Sequence, residues 1–462
     1  RPGRRNICVR KRGISMSGAI GVIGLLLAIA CLIVLSYKGV NAFVASMISS
    51  VIVIVTNLLP FWGTFSGAYA SSMMSFVGSY FLLFGLAAAY GEFMKVSGSA
   101  ESVASTLFKL FGVRWAPLAC LLVTLLMAMG GISAFVIVFA VYPVAAPLFR
   151  KANITKNLLP GIVLCASVTL CLCLPGNPTS TNALLARPEY GLGVDAFSAP
   201  VMGIIACIVG TVLAGAYVTW QARRQTALGV GYVVSGSDAL EEEKEKDLPP
   251  FITSIIPLLI VVFVMIALKN VMSATDSILT SLCIAIIASV VLNPKVFFGA
   301  KKTHGVLKTF TTGMWPSCTS ALLLTGGVMG FAGVVQAAPG FQYFVDFANS
   351  LSTTFSPYVS ASVAVNVVAG ITGTALGGLQ IFADTMLPNY INLGINPEAF
   401  HRLMTIACCG LDTLPHCSTF ILMCSVCGVT AKDSYKHVFP LTVVMPILLT
   451  ILCIIMIGIG II

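Results

Sequence analysis

Apolar residues run through this chain in long blocks separated by short polar segments. Ten of these blocks are long enough to cross a bilayer as helices, because a crossing needs about 20 residues. The predicted spans lie near residues 17–36, 40–59, 76–96, 156–187 and 197–220, and then near 251–269, 275–292, 313–335, 397–430 and 436–462. The pattern predicts an all-α polytopic membrane protein.

Two further apolar blocks do not fit a simple crossing. They cover residues 115–149 and 356–389, which are 35 and 34 residues long. Each is too long for one span and short for two, since one span takes about 20 residues. Glycine-centred breaks, GIS at 131–133 and GIT at 370–372, interrupt them. We therefore predict a re-entrant hairpin in each block.

The two series of spans correspond to each other in order and in detail. Pro147 pairs with Pro388 at an offset of 241 positions, and amphipathic stretches at 101–111 and 340–351 precede the two hairpins. Each series has five crossings and one hairpin, and an odd number of crossings turns the second copy upside down. The predicted organisation is a basic tail at 1–15, a first inverted repeat at 16–220, a charged cytoplasmic linker at 221–250 and a second inverted repeat at 251–462.

Composition and charge agree with a membrane setting. Hydrophobic residues make up 58% of the 462 positions and charged residues 9%, and the net charge is +10. The basic residues lie in short loops, where orientation bias and lipid headgroups explain them, so we expect the bilayer and not nucleic acid as a partner. With the first loop in the cytoplasm, only Arg187, Lys269 and Arg402 fall outside, and the deep segments hold no cluster of arginines. The basic tail at 1–15 contradicts this topology. We expect it not to be native, and the alternative is one miscounted span.

The fifteen cysteines indicate neither a disulfide framework nor a metal site. Most lie inside apolar runs, where cysteine behaves as a small hydrophobe. Cys424 and Cys427 have the spacing of a redox pair, but no partner motif surrounds them, and packing explains them better.

Two polar stretches interrupt the longest spans near mid-membrane. They are LPGNPTST at Leu174–Thr181 and LPHCSTF at Leu414–Phe420. Membrane-embedded backbone leaves the helix only where protein or a wet cavity satisfies its N–H and C=O groups. Together with the two hairpin tips, these breaks aim free N–H groups and helix dipoles at one place, which favours an anion site.

The deep polar residues at the tips and breaks are the candidate ligands of that anion. The alternative is that the Ser and Thr residues among them bond back to their own helices, as these residues usually do in membranes. The predicted substrate-binding residues are Gly131, Ile132, Ser133, Gly176, Asn177, Thr179, Asn182, Thr372, Gly373, Thr374, Thr413, His416 and Ser418.

Asp412 is the predicted coupling residue. An ionised carboxylate costs several kcal/mol in the bilayer interior, so its presence there indicates proton exchange, cation coordination or a fixed partner. His416 is one such partner or a substrate ligand, and a capping role for Asp412 is the structural alternative. Glu92, Asp384 and His401 are weaker candidates. No resident cofactor or metal is expected, only a coupling ion.

These residues resemble the gluconate permease (GntP-type) family of the ion transporter superfamily. The likeness is densest in ITGTALGG from Ile371, in GINPEAFHRL from Gly394, and in GLDTLPHCSTF followed by CGVTAKDSYK. The resemblance implies a secondary symporter for organic monocarboxylates, usually with a proton, with an elevator-type scaffold and a mobile transport domain. It also implies a bacterial inner membrane and, as in elevator-type relatives, a homodimer.

Departures from the family pattern leave the substrate and the ion open. The LPGNPTSTN stretch is similar to the corresponding stretch of family members assigned to short acids such as 3-hydroxybutyrate. It differs from that of members assigned to sugar acids. The tips lack the Ser-Asn-Thr of sodium-dependent relatives, yet sodium coupling remains an alternative. An anion channel would need a continuous polar ring that the sequence lacks. An intramembrane enzyme would need a nucleophile elbow or metal ligands, which are also absent, so no enzyme is expected.

Overall fold

The computed structural model describes residues 16–462, except residues 39, 100–101, 104–105, 107–111, 113–114, 130–133, 178, 235–247, 269–270, 273, 299–304, 317, 319–321, 344–345 and 347–355. Within this range the regular structure is helical throughout, without a strand. The principal helices are α1 Met16–Tyr37, α2 Ala42–Thr56, α3 Phe61–Val96, α4 Ala116–Met129, α5 Ala134–Lys151, α6 Lys156–Cys173, α7 Ser180–Leu184, α8 Pro200–Ala227, α9 Phe251–Leu268, α10 Ala274–Leu292, α11 Pro294–Phe298, α12 Val306–Pro316, α13 Leu322–Ala337, α14 Pro357–Thr372, α15 Ala375–Thr385, α16 Leu387–Ile391, α17 Pro397–Ala407, α18 Ser418–Cys427 and α19 Ala431–Gly458.

Five of the described helices are long and apolar enough to cross a membrane: α1, α3, α6, α8 and α19. Shorter apolar helices, among them α2, α4, α13, α14 and α18, lie between them in the chain. Hydrocarbon offers no hydrogen-bond partners, so a membrane-spanning segment must pair its own backbone N–H and C=O groups. A helix does this internally. The chain is therefore a multi-pass membrane protein, as its hydropathy predicts.

Local chemistry explains where several helices begin and end. The Asn396 side chain accepts a hydrogen bond from the N–H of Ala399 at 3.0 Å and caps α17. The Thr430 hydroxyl caps α19 in the same way through Asp433 N–H at 3.1 Å. Gly373 and Gly428 end α14 and α18 with φ angles of 66° and 61°, in the left-handed region that glycine reaches without a Cβ penalty.

The helices form two groups, each with members from both halves of the sequence. In the first group, α1 packs on α2, α9 on α10, and α3 against α12 and α13. We call this group the scaffold; it comprises α1–α3 and α9–α13. In the second group, α5 packs on α18, α15 on α7, and α17 on α14 and α19. We call this group the core body; it comprises α4–α8 and α14–α19. The groups meet where α3 lies against α5, where α13 lies against α14 and α18, and where α1 lies against α19.

Three predicted boundaries of spans are wrong. The span expected at 76–96 begins at Phe61, because glycine and serine lower the hydropathy of its first turns without ending the helix. These small residues serve close packing: a Cβ on Gly333 of α13 would lie 2.1 Å from Ser72 Oγ of α3. The span expected at 313–335 is divided between α12 and α13, and the last span begins at Ala431 instead of 436.

Several predictions fall wholly or largely outside the described residues. These are the basic tail at 1–15, the first hairpin tip at 131–133, most of the amphipathic stretches at 101–111 and 340–351, and the centre of the linker at 235–247.

Candidate functional site

The second apolar hairpin is two helices joined by a two-residue turn. Helix α14 ends at Thr372, Gly373 is left-handed, Thr374 is extended at φ −156°, and α15 begins at Ala375. The arms fold back on each other, since a Cβ on Gly378 would lie 2.4 Å from Cα of Ala369. No side chain caps the start of α15, so its first N–H groups stay available at the tip.

The break around Pro415 separates α17 from α18. Helix α17 stops at Ala407, residues 408–417 follow without regular helix, and α18 starts at Ser418. The N–H of Cys417 donates to the Leu414 carbonyl at 2.8 Å and closes a turn around the proline. Cys417 precedes α18 without a side-chain cap hydrogen bond. Pro415 thus lies in a true interruption, with a second uncapped helix start beside it.

The hairpin tip rests on this break. A Cβ on Gly373 would lie 3.1 Å from Cδ2 and 3.2 Å from Nε2 of His416, and one on Gly370 would lie 3.0 Å from Cβ of Leu411. Glycine at both positions lets the tip approach the break to contact distance. The N-termini of α15 and α18 are therefore brought to the same place in the core body.

His416 lies at this contact with its hydrogen-bonding capacity unused. The side chain is 1% exposed, and neither ring nitrogen has a hydrogen-bond partner. The Gly370 backbone interacts with the ring without meeting the geometry of a hydrogen bond. Buried polar atoms are nearly always paired, so an unpaired imidazole between two helix N-termini indicates a ligand site.

Asp412 lies four residues before His416 but is not bonded to it. The carboxyl group is 5% exposed and accepts a hydrogen bond from the Thr413 hydroxyl at 2.6 Å. No cationic side chain of the described residues acts on it. Neither ring nitrogen of His416 bonds the carboxylate, so of the two roles considered for His416 the partnership with Asp412 is not formed.

The first-half break around Pro175 is satisfied by its own side chains. The Asn177 amide donates to the Leu174 carbonyl at 2.7 Å, and its oxygen accepts a hydrogen bond from the Thr179 hydroxyl. The Asn182 amide donates to the carbonyls of Asn177 and Ala196 at 2.9 and 3.1 Å. These polar groups are occupied in holding the loop, whereas the imidazole of His416 in the second break has no partner.

Arg402 is the main site feature that the sequence prediction missed. It was placed in an external loop, but its side chain is 0% exposed and reaches the first break from α17. Its neighbour His401 is equally buried and donates from Nε2 to the Asn182 carbonyl at 2.9 Å. The available signal was the pair of polar residues between Phe400 and Leu403, four and five residues after Pro397.

The remaining predicted residues have different surroundings. The Thr372 hydroxyl donates to the Val368 carbonyl of its own helix at 3.0 Å. This is the backbone bond considered above as the alternative to ligand binding. Ser418 is buried in the first turn of α18, and Thr374 is half-buried at the tip. Gly176 is left-handed at φ 68° and donates to the Ala196 carbonyl. The tip at 131–133, with Gly131, Ile132 and Ser133, lies outside the described residues.

Two of the three weaker candidates, Glu92 and Asp384, lie away from the breaks, whereas His401 bonds the first break. Glu92 of α3 is in the scaffold, where it packs against Gly313. Asp384 is exposed at the far end of α15 and accepts a hydrogen bond from the Tyr190 hydroxyl at 2.9 Å. Among the described residues, no group of three or more His, Cys, Asp or Glu side chains forms a metal site.

Comparisons with known proteins give one consistent assignment. A family model described as GntP family permease matches residues 20–459. The "Uncharacterized transporter YxjC" of Bacillus subtilis (strain 168) is 30% identical over 469 aligned positions, which cover 91% of this chain and 95% of that protein. Both descriptions are of transporters, and the match confirms the resemblance carried by the motifs around Gly373 and Pro415. The chain belongs to the GntP family of permeases.

Proposed function

We propose that the protein is a secondary active transporter that imports a small organic monocarboxylate with a proton across a bacterial plasma membrane. The substrate is a gluconate-like sugar acid or a short hydroxy acid such as 3-hydroxybutyrate. One observation carries the proposal: two uncapped helix N-termini, those of α15 and α18, meet at the buried and unpartnered imidazole of His416.

This arrangement suits a carboxylate. Free N–H groups at a helix start donate hydrogen bonds, and the positive end of each helix dipole stabilises an anion. A neutral imidazole adds one N–H donor without fixing a permanent charge in the membrane. A single carboxylate would satisfy these donors, and the hydroxyl of a short hydroxy acid would extend towards the half-buried Thr374.

Asp412 is proposed to carry the coupled proton. Its carboxyl group is buried, and the described residues offer it no cationic partner. Keeping it ionised next to an incoming anion is costly in a low-dielectric setting. Protonation removes that repulsion and neutralises the charge of the loaded site. Substrate and proton would therefore enter together.

The packing of the helices supports an elevator movement. The hairpin α14–α15 and both breaks lie in the core body, and the scaffold contacts this body along α1, α3 and α13. We propose that the core body carries the site across the bilayer as a unit. The two halves would then be inverted repeats that supply the outward-facing and inward-facing arrangements.

Uptake into proteoliposomes under imposed gradients tests the proposal. We expect an inward proton gradient to drive accumulation of labelled 3-hydroxybutyrate or gluconate above equilibrium. Asp412→Asn should abolish this uphill uptake while retaining exchange of internal for external substrate. Asp384→Asn, which neutralises an exposed carboxylate of the same body, is the matched control and should behave as the unmodified protein.

Two outcomes would reject parts of this scheme. Uptake that never exceeds equilibrium would favour an anion channel. Acceleration by inward sodium alone, with Asp412→Asn fully active, would reject proton coupling.

Sodium coupling is the second candidate because of Asn366. Its amide oxygen is buried without a hydrogen-bond partner and lies against Gly410, where a Cβ would be only 2.0 Å away. Gly410 precedes Asp412 by two residues, so an amide oxygen and a carboxylate flank the start of the break. Such oxygens, together with uncoiled backbone, are typical ligands of Na⁺ in transporters. Asn366→Leu would then abolish a sodium-driven component of uptake.

A further inference from the structure

We propose that Arg402 is a built-in cation: its guanidinium fills a cation site formed by the first-half break, where an external ion would otherwise be needed. The site is an oxygen cage at the C-terminal end of α6. Its geometry stands by itself, whereas its consequence for uptake rests on the proposed transport function.

Five oxygen atoms surround the guanidinium. Nη1 donates to the carbonyls of Leu172 and Leu174 at 3.3 and 3.2 Å and to Asn182 Oδ1 at 3.1 Å. Nη2 donates to the carbonyls of Ala196 and Ser198 at 2.9 and 3.0 Å, and Nε donates to Ser198 at 3.2 Å. All three nitrogens are satisfied, and the acceptors come from both sides of the break.

No carboxylate of the described residues is hydrogen-bonded to the guanidinium, and Asp195 attracts it without supplying an acceptor. All five acceptors are neutral, and Asp195, the acidic residue nearest in the loop, is exposed and bonded to the Phe197 N–H at 2.8 Å. The carbonyls of Leu172 and Leu174 are among those left free at the end of α6, where the helix dipole is negative. Carbonyl oxygens arranged in this way replace the hydration shell of an ion, as in a selectivity filter.

The surrounding chain is shaped for this group. Gly203 of α8 has no Cβ, and one placed there would lie 3.3 Å from Cδ and Nε of Arg402 and 2.4 Å from the Cys173 carbonyl. His401 fixes Asn182 through its carbonyl, and Asn182 in turn presents Oδ1 to Nη1. The cage is thus assembled from the end of α6, from α7 and from the loop before α8, and the cation arrives from α17 of the other half.

The two breaks consequently have different roles. A charge that is covalently attached cannot dissociate during a transport cycle, so the first break is locked in one conformation. The second break, with its unpaired His416, is left to bind and release the substrate. Truncating the Arg402 side chain should open a vacancy that a free cation of the same shape can fill.

Chemical rescue tests this assignment in the full-length protein. Arg402→Ala creates the vacancy, and Arg402→Met fills the space of the side chain without a charge. We expect both to lower the apparent Tm in detergent by roughly 5–10 °C. Guanidinium chloride at about 10 mM, far below denaturing concentrations, should restore most of the loss in Arg402→Ala. It should leave Arg402→Met and the unmodified protein unchanged.

Uptake provides a second readout. Guanidinium should also restore carboxylate uptake by Arg402→Ala at least about tenfold over the untreated variant, with sodium chloride as the salt control. If guanidinium restored the Tm of Arg402→Ala but not its uptake, the cation site would stand. Its proposed role in transport would then be rejected. Absence of guanidinium rescue in Arg402→Ala, or equal rescue of Arg402→Met, would overturn the proposal.

A third variant decides the case in which Arg402→Ala does not fold. Arg402→Lys keeps a cation on a side chain that reaches the cage, and we expect it to fold with a higher Tm than Arg402→Met. Equal Tm values for the two variants would show that charge at this position is immaterial, and the built-in cation would be rejected.

Discussion

His416 and Arg402 are both deeply buried polar side chains, yet the protein satisfies only one of them. All donors of Arg402 are used within the first-half break, whereas neither nitrogen of His416 has a partner. An unpaired buried donor costs about 1–3 kcal/mol, so its retention in the core body is best explained by a ligand that pairs it during function.

We predict that His416→Ala weakens substrate binding. A hydrogen bond to a charged ligand contributes about 1.5–3 kcal/mol, which corresponds to a rise in the apparent Kd of roughly 10- to 100-fold. His416→Gln retains an N–H donor and should lose less. Thermal stabilisation of the purified protein by 3-hydroxybutyrate or gluconate measures the change.

His437→Gln provides the control for the loss of a buried histidine. His437 lies in α19 and bonds Gln221 at 3.0 Å, away from both breaks. If this variant and His416→Ala lost ligand stabilisation equally, His416 would have no special role.

At the scale of elements, two breaks of similar composition have been put to different uses. In the first, Asn177, Thr179 and Asn182 turn inward and satisfy the uncoiled backbone. In the second, the backbone is covered by the hairpin tip at Gly373. A break closed by its own side chains is rigid, while one closed by a neighbouring hairpin opens if that hairpin moves.

The hairpin tip should tolerate no side chain at Gly373. Gly373→Ala places a Cβ 3.1 Å from the His416 ring and also occupies a left-handed conformation that costs about 1–2 kcal/mol. We expect the KM for uptake to rise about tenfold because the ring must move. Gly394→Ala separates these effects, since Gly394 is left-handed at φ 71° with open space around it. A similar rise in KM for both variants would attribute the effect to backbone strain alone.

At the scale of the whole molecule, the division into scaffold and core body is the feature on which transport is proposed to depend. Helices from both halves of the sequence contribute to each group. Between α3 and α5 the contact is aromatic, with the rings of Phe84 and Phe139 centred 5.5 Å apart. Apolar surfaces of this kind slide with few specific hydrogen bonds to break, which suits a moving interface.

A covalent link across this interface should stop transport but not binding. In a background without reactive native cysteines, we expect cross-linked Phe84→Cys/Phe139→Cys protein to retain ligand stabilisation and to lose uptake. Phe93→Cys/Phe297→Cys is the matched pair, since these rings are 5.4 Å apart within the scaffold. Uptake that survives the first cross-link would argue against relative motion of the two groups.

The sequence by itself determined the membrane class, most of the helices and the interruptions at Gly373 and Pro415. Long apolar runs must be helical in hydrocarbon, and glycine or proline grouped with polar residues, as at these two positions, favours an interruption. These are local properties of the chain, so hydropathy and the placement of glycine and proline were sufficient. The motifs at the same positions also carried the family resemblance.

Only the tertiary structure decided which polar groups are free. Thr372 and Asn177 resemble ligands in the sequence but are occupied by their own backbone, and Arg402 resembles a loop residue but reaches the first break. Whether a buried donor is satisfied depends on the groups that distant segments bring within about 3 Å of it. Sequence spacing does not contain that information, because α17 meets α6 across more than 200 positions of the chain.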